Sequence, residues 1–486
     1  MGVDSGVASA TRPRTTGSGV YQAPRADRFV ALGDTPQAAL AKVAGLDIDA
    51  GAVEAARWSL ELWAAAHGVA ANDFSVNVRR GDALRGYPTD WPGVALVIGN
   101  PPFATPLRTG AVPDEVAAFR DGREHLLGPY TDLAAMHLLA AVERCEPGSV
   151  VALVQPQSIL AGRDTGPLRT HCDRVAPLSA MWAAREPVFD ASVRACAAVL
   201  QPGADRPDAV QLASGPTVEP LGTVPAEDAA RESAWPTYAA RALGAPTLPV
   251  ALGASGGSSQ SGAERLGSLI EATAGFRDEY YGLVSACSEW DGSVGEEPNR
   301  LVTVGAIEPL ASRWGVADCR FGGNKWLRPT INLDALSPKV RSWTERRLAP
   351  KVVLATQSKL LEPVVDRDGT LVPATPLLAL HADVDDLALV AAVLLAPPVV
   401  AWAWQQWFGS ALAVDALKLA ARQVTELPLP TDRKMWERAA EMIVDAPNRS
   451  VEEGWSVSCD VAAAMNTAYG ADPSVLAWWT KRSKIR

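Results

Sequence analysis

The chain reads as an α/β protein, with a doubly wound, mostly parallel sheet in its N-terminal part and a mixed α+β domain behind it. Three observations lead there. Residues 26–200 alternate helical and strand-like patterns in the rhythm of βαβ units. The fully apolar run 94–98 empties into Gly99-Asn100-Pro101-Pro102, and a loop after such a strand is where doubly wound folds place their chemistry. At 486 residues the chain is too long for one core, so at least a second domain is expected.

The elements follow in order. Residues 34–42 read as helix, and 43–48 as a short apolar run ending in acids. A long amphipathic helix is expected over 51–67, then a strand over 75–78 before Gly81-Asp82. After the strand at 94–98 come a helix over 133–144, a strand over 149–155 and a closing strand over 193–200, which bound a first domain at 1–200. Pro, Gly, Ala and Ser dominate 201–262, and the run Gly253-Ala254-Ser255-Gly256-Gly257 marks a low-order linker or insertion. A second folded domain, 263–430, is rich in Trp and short strand-like runs. Residues 431–486 turn helical and end in the basic Lys481-Arg482-Ser483-Lys484.

Composition narrows the classes. A hydrophobic share of 48% with 21% charged residues describes a soluble globular chain rather than a disordered one. The net charge of −10 argues against a protein that sheathes nucleic acid, but leaves room for a local basic cleft. Six cysteines and five histidines are scattered without CxxC or HExxH spacing, so neither a metal site nor a disulfide framework is expected, and the cytoplasm is the expected compartment. The apolar run 387–404 is short for a membrane span and carries Pro397-Pro398 in its middle. Two buried segments joined by a turn are the better reading, and no membrane partner is expected.

The strongest chemical signal is Asn100-Pro101-Pro102-Phe103. An aromatic amine on a purine is a poor nucleophile because its lone pair is delocalised into the ring. Two acceptors, the Asn100 side-chain oxygen and the Pro101 carbonyl, can hold its two hydrogens and draw the nitrogen towards tetrahedral geometry. Pro101 and Pro102 fix the backbone so that both converge. Phe103 offers a face on which an extruded base can stack, a contact worth roughly 1–3 kcal/mol. Upstream, Asp47 follows a strand in Gly45-Leu46-Asp47-Ile48-Asp49, where an acid can accept from both ribose hydroxyls of a nucleoside cofactor; Asp49 is placed to cap the next helix.

These residues resemble the amino-group methyltransferases that carry Asn/Asp-Pro-Pro-aromatic, and in particular the gamma class of S-adenosylmethionine-dependent DNA adenine-N6 methyltransferases of bacterial restriction–modification and phage-defence systems. The resemblance implies a Rossmann-like methyltransferase sheet, followed by a DNA target-recognition domain. It implies S-adenosyl-L-methionine as cofactor, with Asp47 on its ribose and Asp82 accepting from its adenine amine. It also implies a glycine loop beside the methionine part, here Gly17 and Gly19 in Thr16-Gly17-Ser18-Gly19. No apolar first strand is legible before that loop, and Pro13-Arg14 stand where the family has an acid and a proline, so the N-terminus reads as truncated or degenerate. Pro129-Tyr130-Thr131-Asp132-Leu133 and Val154-Gln155-Pro156-Gln157-Ser158 resemble the family's later motifs. Phe189, in Glu186-Pro187-Val188-Phe189-Asp190, resembles the second aromatic wall around a flipped adenine.

The resemblance further implies double-stranded DNA as partner, with restriction or defence subunits beside it. Residues 266–281 and 351–369 look like parts of a target-recognition domain. Between Arg313 and Lys359, ten Lys/Arg stand against three Asp/Glu, a stretch that could face phosphates. Trp402, Trp404, Trp407 and Phe408 fit a core better than a base-stacking platform. Two other readings stay open from sequence: a protein-glutamine or RNA-base methyltransferase sharing the tetrapeptide, and a catalytically inactive DNA-binding relative with a damaged cofactor loop.

Overall fold

A computed structural model describes residues 14–16, 22–88, 95–104, 114–189, 193–226, 234–249, 252, 264–275, 277–292, 297–411, 416–444 and 449–483. The chain divides into two compact units, Met1–Leu243 and Gly244–Arg486.

The first unit runs β1 (Arg14–Thr16), α1 (Gln22–Ala31), α2 (Pro36–Lys42), β2 (Ala44–Asp47), α3 (Ala50–Ala66), β3 (Asn77–Arg80), β4 (Leu96–Gly99), α4 (Asp114–Arg120), α5 (Leu133–Arg144), β5 (Val150–Pro156), α6 (Ser158–Ala161), α7 (Gly166–Val175), β6 (Leu178–Ala183), β7 (Ala195–Leu200), β8 (Ala209–Ser214), β9 (Glu219–Pro225) and α8 (Trp235–Ala242). Helix starts are set locally. Thr35, Asp49 and Asp132 cap α2, α3 and α5 by accepting from the backbone N–H of Ala38, Ala52 and Ala134, each satisfying a donor that the first helical turn leaves without a partner. Val53, Leu60 and Trp63 of α3 are buried against Leu40, Val43 and Val78. Helix α5 is buried nearly all round, with Met136, Leu138 and Leu139 as its large apolar side chains.

Nine strands form one mixed sheet in the order β3-β2-β1-β4-β5-β7-β6-β8-β9. The pairs β2/β3, β1/β2, β1/β4 and β4/β5 are parallel. Strand β7 runs antiparallel to both β5 and β6. Two expectations are corrected here. A first strand exists: Arg14–Thr16 pairs with Ala44–Leu46 on one side and Val97 on the other. It escaped notice because three residues of Arg-Thr-Thr carry no apolar signal; its place between two strands supplies the pairing instead. The segment 201–262 is not uniformly of low order either. Strands β8 and β9 form an antiparallel pair at the sheet edge and α8 follows them, so the sheet outruns the expected boundary at residue 200. The run 253–259 lies outside the described residues.

The second unit holds two four-stranded sheets. One orders Glu271–Ala274, Leu378–His381, Lys351–Ala355 and Glu362–Asp366, all antiparallel. The other orders Cys287–Glu289, Pro329–Ile331, Arg300–Val302 and Leu371–Pro373. Helices Leu387–Leu395 and Pro397–Gln406 meet at 64°. Every residue of the first is buried, as are Trp402, Trp404 and Phe408, so these aromatics belong to the core. Among the described residues no single helix is long and apolar enough to cross a membrane. The basic stretch 313–359 is no single surface: Arg347 and Lys351 are buried, whereas Arg320, Lys325 and Arg328 are exposed.

Candidate active site

Because β2, β3 and β4 run in the same direction, their carboxyl ends open on one edge of the sheet. Asp47 is the last residue of β2, Asp82 comes two residues after β3, and Asn100 directly follows β4. Residues far apart in sequence therefore share one edge, where a parallel sheet leaves backbone and side chains free to meet a ligand. Pro13, Gly17 and Gly19, which directly flank β1, lie outside the described residues.

The end of β4 and the far end of the loop after it are both fastened. Arg25 of α1 donates to the Ile98 carbonyl at 3.2 Å. The Leu133 N–H donates to the Ala104 carbonyl at 2.8 Å. The Asp132 carboxylate, besides capping α5, accepts from the Ala104 backbone, and burial pushes its pKa above the ordinary 3.8 despite those bonds. Between these anchors Pro101 is buried, Pro102 is exposed and Phe103 is half-buried. The Asn100 Oδ1 is buried and, among the described residues, accepts no hydrogen bond. A buried acceptor without a donor costs about 1–3 kcal/mol, and such atoms in native structures call for an explanation. Gln155 on β5 likewise buries an unpartnered Oε1, but its Nε2 is committed to Ala134 at 3.0 Å.

The two acids are half-committed. Asp47 Oδ1 accepts from the Asp49 N–H at 2.9 Å, and Asp82 Oδ1 from the Leu84 N–H at 2.8 Å. Among the described residues the second oxygen of each has no hydrogen-bond donor, which suits it to accept from a ribose hydroxyl or an exocyclic amine. Asp49 caps α3, as its position in sequence implied. The strand ends that carry the acids are tied together by the Gly81 N–H donating to the Asp47 carbonyl at 2.8 Å. The turn bearing Asp82 is fastened by the Arg144 guanidinium, which donates to the Ala83 carbonyl and, at 2.6 Å, to that of Leu84. His137, one turn into α5, is pushed below the ordinary imidazole value by burial, against an opposing pull from Asp82.

Phe189 also reaches this edge. Strand β7 is antiparallel, with Ala195 opposite Pro156 and Cys196 opposite Ala183, so the segment before it emerges at the carboxyl end of β5. Phe103 and Phe189 stand with ring centroids 6.4 Å apart and planes at 86°. The rings meet edge to face, and a base gripped between two parallel faces would require one of them to turn. Sequence reasoning named Asn100, Phe103 and Phe189 as candidates but did not foresee the hydrogen bonds by which Asp132, Arg25 and Arg144 fasten this edge. The cap position of Asp132 at the start of a helix was a legible signal; the two arginines offered none.

No family model and no curated protein sequence matches the chain. Among solved structures it is similar to the Type IIL restriction-modification enzyme MmeI in complex with DNA, at 11% identity and a TM-score of 0.61, over 97% of this chain and 72% of that one. Two further similarities have TM-scores below 0.5. The type IIG restriction endonuclease BpuSI gives 0.40 at 13% identity, over 96% of this chain and 63% of that one. The methyltransferase subunit of a type I restriction-modification system from Streptococcus thermophilus gives 0.31 at 17% identity, over 42% of each chain. The chain thus spans under two thirds of the length of BpuSI and of the Streptococcus thermophilus subunit. At 11% identity what the chain shares with MmeI is the fold.

Proposed function

We propose that the chain transfers a methyl group from S-adenosyl-L-methionine to the N6 amine of an adenine flipped out of duplex DNA, in a restriction–modification or phage-defence setting. One observation carries the reading: the buried, unpartnered Asn100 Oδ1 at the carboxyl end of β4, followed by Pro101-Pro102-Phe103. In this reading the sheet is the doubly wound methyltransferase type, and Asn100 Oδ1 and the Pro101 carbonyl accept the two hydrogens of the amine. That pairing localises the nitrogen lone pair for attack. Phe103 and, after turning, Phe189 flank the base, a step that needs the base extruded because its N6 lies in the paired stack.

The acids fit the cofactor. Asp47 and Asp82 stand at the same sheet edge, each with one carboxylate oxygen already bonded to backbone, and the other would hold its ribose and adenine; Gly17 and Gly19 follow β1 in sequence and would lie beside its methionine part. The cofactor, when bound, supplies an electrophilic methyl group on sulfur. The amine gains that methyl and gives up one proton. MmeI, whose fold covers nearly all of this chain, is a restriction-modification enzyme bound to DNA, and this supports DNA as the substrate.

The test is a radiolabelled methyl-transfer assay on duplex DNA, RNA and protein, followed by nucleoside and amino-acid analysis. The account expects label in N6-methyladenine from DNA. Label in glutamine or in an RNA base, with none in DNA, sinks it.

A further inference from the structure

A β-hairpin in the second unit sets two cations face to face. Its strands, Cys319–Phe321 and Asn324–Trp326, pair antiparallel with Arg320 directly opposite Lys325. Both side chains are exposed, and among the described residues neither makes an ion pair or hydrogen bond. From Arg320 to Arg328 the sequence holds three basic residues and no acid, in a chain whose net charge is −10. Like charges facing each other across two strands destabilise the pair. Asp318, two residues before Arg320, is the nearest acid in sequence and among the described residues pairs with neither cation, so both are available to an anion.

The hairpin is also built to be stiff. Gly322 and Gly323 turn it with φ of +59° and +83°, the left-handed backbone that tight two-residue hairpins require. A Cβ on Gly322 would meet Val284 at 2.7 Å, so the turn lies directly against the neighbouring helix. Phe321 is buried with its ring 5.0 Å from Tyr280. The Trp326 indole N–H donates to the Phe321 carbonyl at 3.0 Å. One face of the ribbon, that of Cys319 and Phe321, is thus locked into the core while the other presents the two cations Arg320 and Lys325. A two-stranded ribbon is also narrow enough to enter the major groove of B-form DNA.

We infer that this hairpin is a phosphate-contacting element for duplex DNA, with Arg320 and Lys325 gripping the sugar-phosphate backbone. The inference rests on the DNA reading above and adds where the duplex is held. Phosphate contacts position a duplex without reading its sequence, so their loss weakens binding evenly across sequences.

The test uses the full chain and short labelled duplexes of two unrelated sequences, titrated at several salt concentrations. Each phosphate contact adds about 0.9 to the slope of log affinity against log salt. Arg320→Gln with Lys325→Gln should therefore flatten the slope by about 1.8, so that the wild type loses about tenfold more affinity than the variant between about 50 and 200 mM salt. Arg320→Lys with Lys325→Arg should keep the wild-type slope. Removing the facing charges should leave the thermal midpoint at or above that of the wild type, which separates a lost contact from a misfolded variant; should the double variant unfold early, Lys325→Gln alone, with half the expected change, serves in its place. An unchanged slope in a folded variant overturns the inference. Wild-type protein that binds no duplex overturns it together with the DNA reading, whereas salt-sensitive duplex binding without methyl transfer counts only against the proposed activity.

Discussion

Asn100 and Asp132 bear on opposite ends of the loop after β4. Asn100 carries the unpartnered oxygen, and Asp132, on the helix that follows, accepts from the end of the same loop at Ala104. The first was legible because Asn-Pro-Pro-Phe after an apolar strand is a specific pattern. The second was visible only as a helix cap, since its hold on Ala104 depends on how α5 packs beside β4. Burial raises the Asp132 pKa, so the folded state binds its proton more tightly than the unfolded chain does. The cost of burying that charge is present in full above the folded-state value and disappears as pH falls through it towards 3.8. Asn at this position still caps the helix but carries no charge. The midpoint of thermal unfolding of the wild type should therefore rise relative to Asp132→Asn between neutral pH and pH near the ordinary carboxylate value. A gap that stays constant, or that moves against the wild type, contradicts the burial account.

At the scale of elements, four strands with apolar runs were readable, whereas β6, apolar though it is, and the polar β1 and β9 were not. Residues 44–47, 96–99, 150–156 and 195–200 form strands within a residue or two of where the pattern placed them. Strand β1 is three polar residues, and β9 is exposed along nearly its whole length with a proline near each end; both exist because neighbours offer a ladder to pair with, which periodicity does not register. Gly81 shows how the spacing of two elements sets the site. Its missing Cβ leaves room for Leu46 of β2, which an added Cβ would meet at 2.8 Å, and its N–H ties β3 to the Asp47 carbonyl. Overpacking of this kind costs about 1–3 kcal/mol. Gly81→Ala should destabilise the chain by that order and weaken cofactor binding, and Leu46→Val in the same chain should restore part of both. Denaturant unfolding and calorimetry with S-adenosylmethionine check this; an unaltered affinity in the single variant argues that the Asp47 strand end is not part of the cofactor site.

The whole molecule comprises two units of nearly equal length, and the sequence foretold the division better than its place. The Pro- and Gly-rich composition of 201–262 concealed a strand pair and a helix that complete the first unit, because edge strands need little apolar surface. The chain shares its fold with a DNA-bound restriction-modification enzyme at 11% identity, and the motifs of the first unit had pointed to that setting, whereas the second unit offered only loose likenesses in sequence. The central claim nonetheless concerns one atom. Asn100→Ala in the full chain, measured for methyl incorporation into adenine alongside cofactor and duplex binding, tests it most directly. Losing one positioned hydrogen-bonding group of this kind costs about 10²–10³ in rate, so the account predicts a drop of at least about 100-fold with both affinities retained. Undiminished methylation of adenine by that variant would contradict it.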